Sequence, residues 1–260
     1  MRGFACGLAI SLAACSAPAS AATPARVASL NLCTDELVLA LAAPGTIATV
    51  THLSQDRRET PRWRQARHYP ANDGSILSVA RYNPDLIVTM GGSGRDGARL
   101  SAALGARFLD LPFPSRLADV ERSIATRARA LGRSSQGASL LAQIGAARAA
   151  RPHRQRAAVF IDKGARSLDP VSAGADWLAL AGYRQAALPG TRFDRETLMR
   201  LPPVTLLISS YRTDQYSRSQ ALPLRRPGDT RRATDGRRWT CMGPDMLPEI
   251  ARLRKMATAG

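Results

Sequence analysis

Short runs rich in valine, isoleucine and leucine recur along the chain, each followed by turn residues and then by apolar positions at helical spacing. This alternation predicts an α/β fold with mainly parallel sheets, because strands buried on both faces read as continuous apolar runs and parallel neighbours need crossover helices. In the first half, strands are predicted at residues 26–30, 47–51, 86–90 and 107–111, with helices at 34–42, 75–82 and 96–104. Thr34 is placed to cap the first helix, and Asp35 and Glu36 fall in its opening turn, where carboxylates complement the helix dipole.

From Leu117 the pattern changes: Leu117, Val120, Ile124, Ala128 and Leu131 step by three and four along one helix face, and Gly132 ends the stripe. Ser134 or Ser135 can cap a second helix carrying Leu140, Leu141, Ile144 and Ala147, stopped by Pro152 and long enough, at roughly 25 Å, to act as a strut. The alternation then resumes, with strands at 157–162 and 204–209 and helices at 175–180, 194–201 and 243–257. Two Rossmann-like lobes, 22–133 and 153–260, are thus predicted to flank a linker helix at 134–152 and to face each other across a cleft. In open α/β sheets ligands sit at the carboxyl ends of the strands, so the loops directly after each strand are the ones to watch.

The first residues bear on compartment. Met1 and Arg2 precede a mostly apolar stretch at 3–14, too short for a membrane span but fitting an export leader, with Ala19-Ser20-Ala21 as a cleavage pattern. A signal peptide at 1–21 is expected; a rival reading takes Leu12-Ala13-Ala14-Cys15 as a lipoprotein box. Cleavage after Ala21 would remove Cys6 and Cys15, leaving Cys33 and Cys241 near opposite ends. In an oxidising compartment a lone pair usually joins as a disulfide, the alternative being two separate buried thiols. The formal charge of +17 ordinarily points to nucleic acid or an anionic surface. Here the basic residues are nearly all arginines, with Lys163 and Lys255 the only lysines, and they are spread along the chain. The one dense stretch, 212–238, holds Arg225, Arg226, Arg231, Arg232, Arg237 and Arg238 among loop formers and reads as a solvated loop, with anionic-ligand or headgroup contact as the alternative.

Gly92-Ser93-Gly94-Arg95-Asp96-Gly97 satisfies a dinucleotide-binding glycine pattern, but it follows the third strand of its lobe rather than the first and precedes a short helix. A flexible ligand-contacting loop is the competing reading. Gly91-Gly92-Ser93-Gly94-Arg95 lacks the last glycine of a hydrolase elbow. His52 and His68 leave a two-histidine metal site open in principle, although no H-E-x-x-H or paired cysteine ligands occur.

Residues 26–37 (RVASLNLCTDEL), 50–54 (VTHLS), 83–88 (NPDLIV) and 239–244 (WTCMGP), taken in order, resemble the class III periplasmic substrate-binding proteins of ABC importers for cobalamin and ferric siderophores. The resemblance implies a monomeric, non-enzymatic carrier without cofactor, nucleic-acid partner or bound metal of its own. Such a carrier would hold a bulky metal chelate, corrinoid or ferric siderophore, between lobes joined by one long helix and deliver it to a membrane permease. By position, it implies cleft contacts from Asn31, Thr34, His52, Gly91, Gly92 and Phe113 in the first lobe and from Lys163, Ser172, Ser210, Tyr211 and Trp239 in the second. Trp239 is the strongest of these, since an indole can cover a flat macrocycle; the competing reading is an inter-lobe core aromatic. Permease docking in this family uses an acidic residue on each lobe. Glu196 fits the second-lobe position, whereas the first lobe offers only Asp73 beside Ile76, Leu77 and Ser78. An exported nucleotide-binding enzyme using the 92–97 loop, and an envelope interaction protein using the basic stretch, are the rival functions.

Overall fold

The computed structural model describes residues 23–92, 94–212, 215–218 and 226–258. The expected leader at 1–21, Ser93 and Arg225 therefore lie outside the described residues. Among the described residues the named strands form two separate sheets in which every pairing is parallel. The first contains β1 (Val27–Ser29), β2 (Ile47–Thr51), β3 (Ala71–Asn72), β4 (Leu86–Met90) and β5 (Arg107–Leu111) in the order β3-β2-β1-β4-β5. The second contains β6 (Arg156–Ile161), β7 (Tyr183–Gln185), β8 (Thr205–Ser209) and β9 (Thr230–Thr234) in the order β7-β6-β8-β9. Crossovers are made by α1 (Leu32–Leu41), α2 (Trp63–Ala66), α3 (Ile76–Ala80) and α4 (Gly94–Ala103) in the first half and by α7 (Ala173–Leu180) and α8 (Arg195–Arg200) in the second, and α9 (Gly236–Cys241) follows β9. Between the sheets run α5 (Leu117–Ala130) and α6 (Ser134–Ala149), and α10 (Met246–Thr258) closes the chain. No helix of the described residues is long and apolar enough to cross a membrane.

Several local expectations are corrected. The cap of α1 is Asn31, whose side chain accepts from the Thr34 backbone N–H at 2.9 Å, while Thr34 sits at the third helical position and completes a reciprocal capping box. Ser134 and Ser135 lie inside the first turn of α6 and do not cap it. The basic stretch is not simply a solvated loop: its described part contains β9 and α9, and Arg226 is folded inward, bonding the carbonyls of Leu198 and Pro202 and pairing with Asp229 at 2.7 Å. The strands β3, β7 and β9 were not foreseen, because they are short or charged and lack an apolar run.

The halves meet through a shared core. Leu37, Val38 and Leu41 on α1, Val120 and Ile124 on α5, Ile144 on α6, Trp177 and Leu178 on α7, Trp239 on α9, and Ile250 and Leu253 on α10 belong to one buried apolar cluster. Helix α6, about 24 Å long, does not bridge open solvent; it lies along α5, with Gly137 tight against Ala128 and Arg148 paired to Glu121 at 2.7 Å. The Trp177 indole N–H donates to the Met242 carbonyl at 2.8 Å. Within this core the Cys33–Cys241 disulfide joins α1 to α9 across 208 residues of sequence.

Polar ties flank the shared core. Arg62 meets Asp245 at 2.6 Å, and Arg116 meets Asp176 at 2.9 Å. The Arg62–Asp245 pair adjoins two buried acids. Asp35, fully enclosed, accepts from the backbone N–H and hydroxyl of Thr51, yet burial pushes its carboxyl up to about 6. Burial, reinforced by the Asp245 charge, pushes Glu36 further, to about 8, against the lowering effect of the Thr60 hydroxyl and the Arg62 cation. Oδ1 of Asp35 and Oε2 of Glu36 have no hydrogen-bond partner among the described residues.

Two predictions follow from this junction. Mass measurement of the native protein should show the cysteines two hydrogens short of the free-thiol mass, and paired Cys33→Ser and Cys241→Ser substitution should cost about 2–4 kcal/mol of stability; two alkylatable thiols in the native chain would contradict the link. The folded chain holds the Glu36 proton to about pH 8, whereas the unfolded chain releases it near the ordinary 4.5, so this group makes stability fall as pH rises between those values. Thermal melts of Glu36→Gln should therefore match the native protein near pH 4.5 and exceed it at pH 8.5, and a native protein that gains stability over this interval relative to the variant would contradict the assignment.

Candidate functional site

The second sheet carries a cavity at its topological switch point. Strand β6 leads outward to β7 on one side, and the chain then crosses to β8 on the other, so the connections that leave the carboxyl ends of these two paired strands run in opposite directions. A cavity of about 550 Å³ lies at these ends, lined by Phe160 of β6 with Asp162 and Lys163 just after it and by Ser209 of β8 with Tyr211 just after it. Leu168, Tyr216, Trp239 and Met242 complete an apolar and aromatic wall, with Arg166 and Arg218 at its polar side. Such a size suits a bulky organic ligand.

Trp239 is braced from behind. Its ring centroid lies 4.6 Å from that of Phe160, and its indole N–H donates to the Thr234 hydroxyl at 2.6 Å. The residue is only 4% exposed, so one flank belongs to the core and its polar end is already used. Gly236 allows the start of α9 to press against Ser209 and Tyr211; a Cβ there would collide with both. The phenol of Tyr211 donates to Glu59, a buried acid of the first half that also pairs with Arg212. Burial, together with this hydrogen bond and the Glu59 charge, pushes the Tyr211 phenol up to about 12, so it remains a donor. Tyr211 thus ties the cavity wall to the opposite half.

On the other side of the Tyr211–Arg212 turn lies a second pocket of about 540 Å³, shared by both halves. Arg57, Arg58, Trp63 and Arg64 come from the first, and Ser210, Arg212, Asp235 and Arg237 from the second. The guanidinium of Arg237 donates to the Arg57 carbonyl at 3.0 Å.

Of the sequence-predicted contacts, Lys163, Tyr211 and Trp239 line the cavity, and Ser210 lines the arginine pocket. The remaining contacts are dispersed. Thr34 is fully buried, and Asn31 spends its amide on Thr89 and the Met90 carbonyl, sealing the crevice between β1 and β4. Ser172 caps α7, accepting from the Ala175 N–H at 3.2 Å. His52 lines a separate groove with Asp73 and Leu77, its Nδ1 3.2 Å from the Asn72 carbonyl. Gly91 and Gly92 are exposed after β4; Gly91, at φ +72°, passes under the Phe113 ring, and Phe113 is 57% exposed. Glu196 is exposed on α8, paired to Arg200 at 2.5 Å, with Met199 61% exposed nearby. Leu168, Tyr216, Met242 and, apart from Ser210, the lining of the arginine pocket were missed; only the rule that ligands gather at strand ends pointed toward this region.

The dinucleotide reading loses its geometric basis, since that fingerprint belongs to the turn after the first strand. Here that turn is Leu30-Asn31, and the N-terminus of α1 is closed by its own side chains. Among the described residues no group of three His, Cys, Asp or Glu side chains is arranged to hold a metal ion.

No family model and no curated protein matches the sequence. Solved structures do. The apo periplasmic heme-binding protein RhuT from Roseiflexus sp. RS-1 superposes with a TM-score of 0.70 at 20% identity, covering 90% of this chain and 98% of that one. The periplasmic heme-binding protein HutB of Vibrio cholerae gives 0.69 at 18% identity, covering 90% and 98%. The periplasmic vitamin B12-binding protein BtuF of Vibrio cholerae gives 0.65 at 15%, covering 91% and 99%. The chain therefore has the two-lobed α/β fold of the class III periplasmic heme- and vitamin B12-binding proteins.

Proposed function

We propose that this chain is the periplasmic binding component of an ABC importer, a carrier rather than an enzyme, which captures a large metal chelate of the heme, corrinoid or ferric-siderophore kind and passes it to a membrane permease. In this reading residues 22–133 and 153–260 are the lobes and 134–152 the joint. The observation that supports it is the cavity of about 550 Å³ at the β6–β8 switch point, with Phe160, Trp239 and Tyr216 on its walls and the opposite half fastened across Tyr211. A flat chelate matches such walls, because aromatic faces bury large area with little side-chain entropy to lose. The shared core and the disulfide restrict lobe motion, so capture relies on a preformed site and release on forces applied by the permease.

Glu196 is the proposed docking contact on the second lobe. The first lobe presents Leu77, 76% exposed, near Asp73 instead of a second prominent carboxylate, so docking there is proposed to be more apolar.

Titration of the mature protein with heme, cyanocobalamin and ferric siderophores should quench tryptophan fluorescence for at least one of them at micromolar concentration or below, since Trp239 borders the cavity. Silence across that panel would count against the carrier reading. Glu196→Arg should leave chelate binding intact and slow uptake in cells by at least about tenfold, because juxtaposed like charges cost several kcal/mol; unchanged uptake would remove Glu196 from the docking surface.

A further inference from the structure

We propose that Glu249, on the C-terminal helix α10 and outside the cavity, is a positioning residue for guest capture: through the Thr234 hydroxyl it fixes the Trp239 indole as a cavity wall. The inference rests on the carrier reading and adds to it a residue that does not touch the guest.

The direction of the hydrogen bonds points to this role. An indole N–H only donates, so the Thr234 hydroxyl must accept from Trp239, at 2.6 Å, and its single hydrogen must go elsewhere. It goes to Oε1 of Glu249, again at 2.6 Å. Glu249 is 3% exposed, and the Arg252 Nε donates to its other oxygen at 2.9 Å. Burial alone would raise this carboxyl, but the Arg252 guanidinium and the Thr234 hydroxyl hold it below its ordinary value, so it is ionised and only accepts. The order from Trp239 to Thr234 to Glu249 is thus forced by the chemistry of the three groups, and each bond polarises the next.

Trp239 needs such a hold. Its ring meets Phe160 at 37° rather than flush, and rotation about the tryptophan Cβ–Cγ bond is broad, so packing on one side does not choose which edge of the indole points inward. The bond to Thr234 chooses it. The rest of the relay is stationary: the Thr234 carbonyl accepts from the backbone N–H and the hydroxyl of Ser210, at 2.9 and 3.0 Å, and Glu249 directly precedes Ile250 of the shared core. Glu249 also accepts from the Asp235 N–H at 3.2 Å, at the entry to α9, the helix that carries Trp239. Glu249 is not part of the cavity lining, so its effect on a guest passes through Trp239.

The test follows the indole N–H of Trp239 by NMR, identified by its loss in Trp239→Phe, together with affinity for heme, cyanocobalamin and a ferric tris-catecholate. The indole signals of Trp63 and Trp177 report on the remainder of the fold. Glu249→Leu and the near-isosteric Thr234→Val should each shift the Trp239 signal, speed its hydrogen exchange, and weaken binding of the chelate by about tenfold, the worth of a hydrogen bond to a charged group. Glu249→Gln and Thr234→Ser, which keep the acceptor and the hydroxyl, should restore both signal and affinity. Native affinity in Glu249→Leu and Thr234→Val would overturn the inference while leaving the carrier intact. So would a Glu249→Gln variant as weak as Glu249→Leu, or the three indole signals shifting together, which is the mark of a general structural role. No binding of any of the chelates by the native protein would overturn both the inference and the carrier reading.

Discussion

Helices from both halves bury their apolar stripes in a single core, and the geometry of the site depends on that packing. Helix α1 follows the first strand and α10 ends the chain, yet Leu37 and Val38 share an apolar cluster with Ile250 and Leu253, with Trp177 of α7 among them. Because a close-packed interior resists shear, the carboxyl ends of the two sheets are held at a set separation. The Cys33–Cys241 link is part of the same packing, so it reinforces an arrangement that the core already favours.

This rigidity carries an electrostatic cost. Asp35 lies in the first turn of α1, where the helix dipole favours negative charge, and Glu36 follows it, but both are buried away from the water that would solvate them. Burial prevails, and both carboxyls are pushed above their ordinary values, Glu36 further than Asp35. Arg62 and Asp245, tied across the junction, keep their side chains paired at 2.6 Å. Breaking such a pair is more damaging than the pair is stabilising, so it acts to specify how the halves meet.

On the cavity side, the same fastening divides labour among aromatic residues. Trp239 offers a face to the cavity while its indole N–H is satisfied by Thr234, and Tyr211 lines the wall while its phenol reaches Glu59. A wall whose polar atoms are already paired presents mainly apolar surface to a guest.

The α/β class, both long helices, most strands and the pairing of two cysteines were legible in the sequence because each rests on a local period or a count: apolar runs at 47–51 and 86–90, the stripe from Leu117 to Leu131, and two cysteines after the expected leader. Strand β9 was illegible, since Thr-Arg-Arg-Ala-Thr is an edge strand stabilised by pairing to β8 rather than by an apolar pattern. Asn31 and Thr34 read as cleft residues by position, but their side chains turn inward to cap α1, a choice made by hydrogen-bond geometry. The arginine pocket joins residues 57–64 to 210–237, which only the meeting of the two halves brings together. Periodicity and residue counts thus determined the elements and the fold class, whereas tertiary structure decided which side chains face the cavity, because that depends on contacts between segments far apart in sequence.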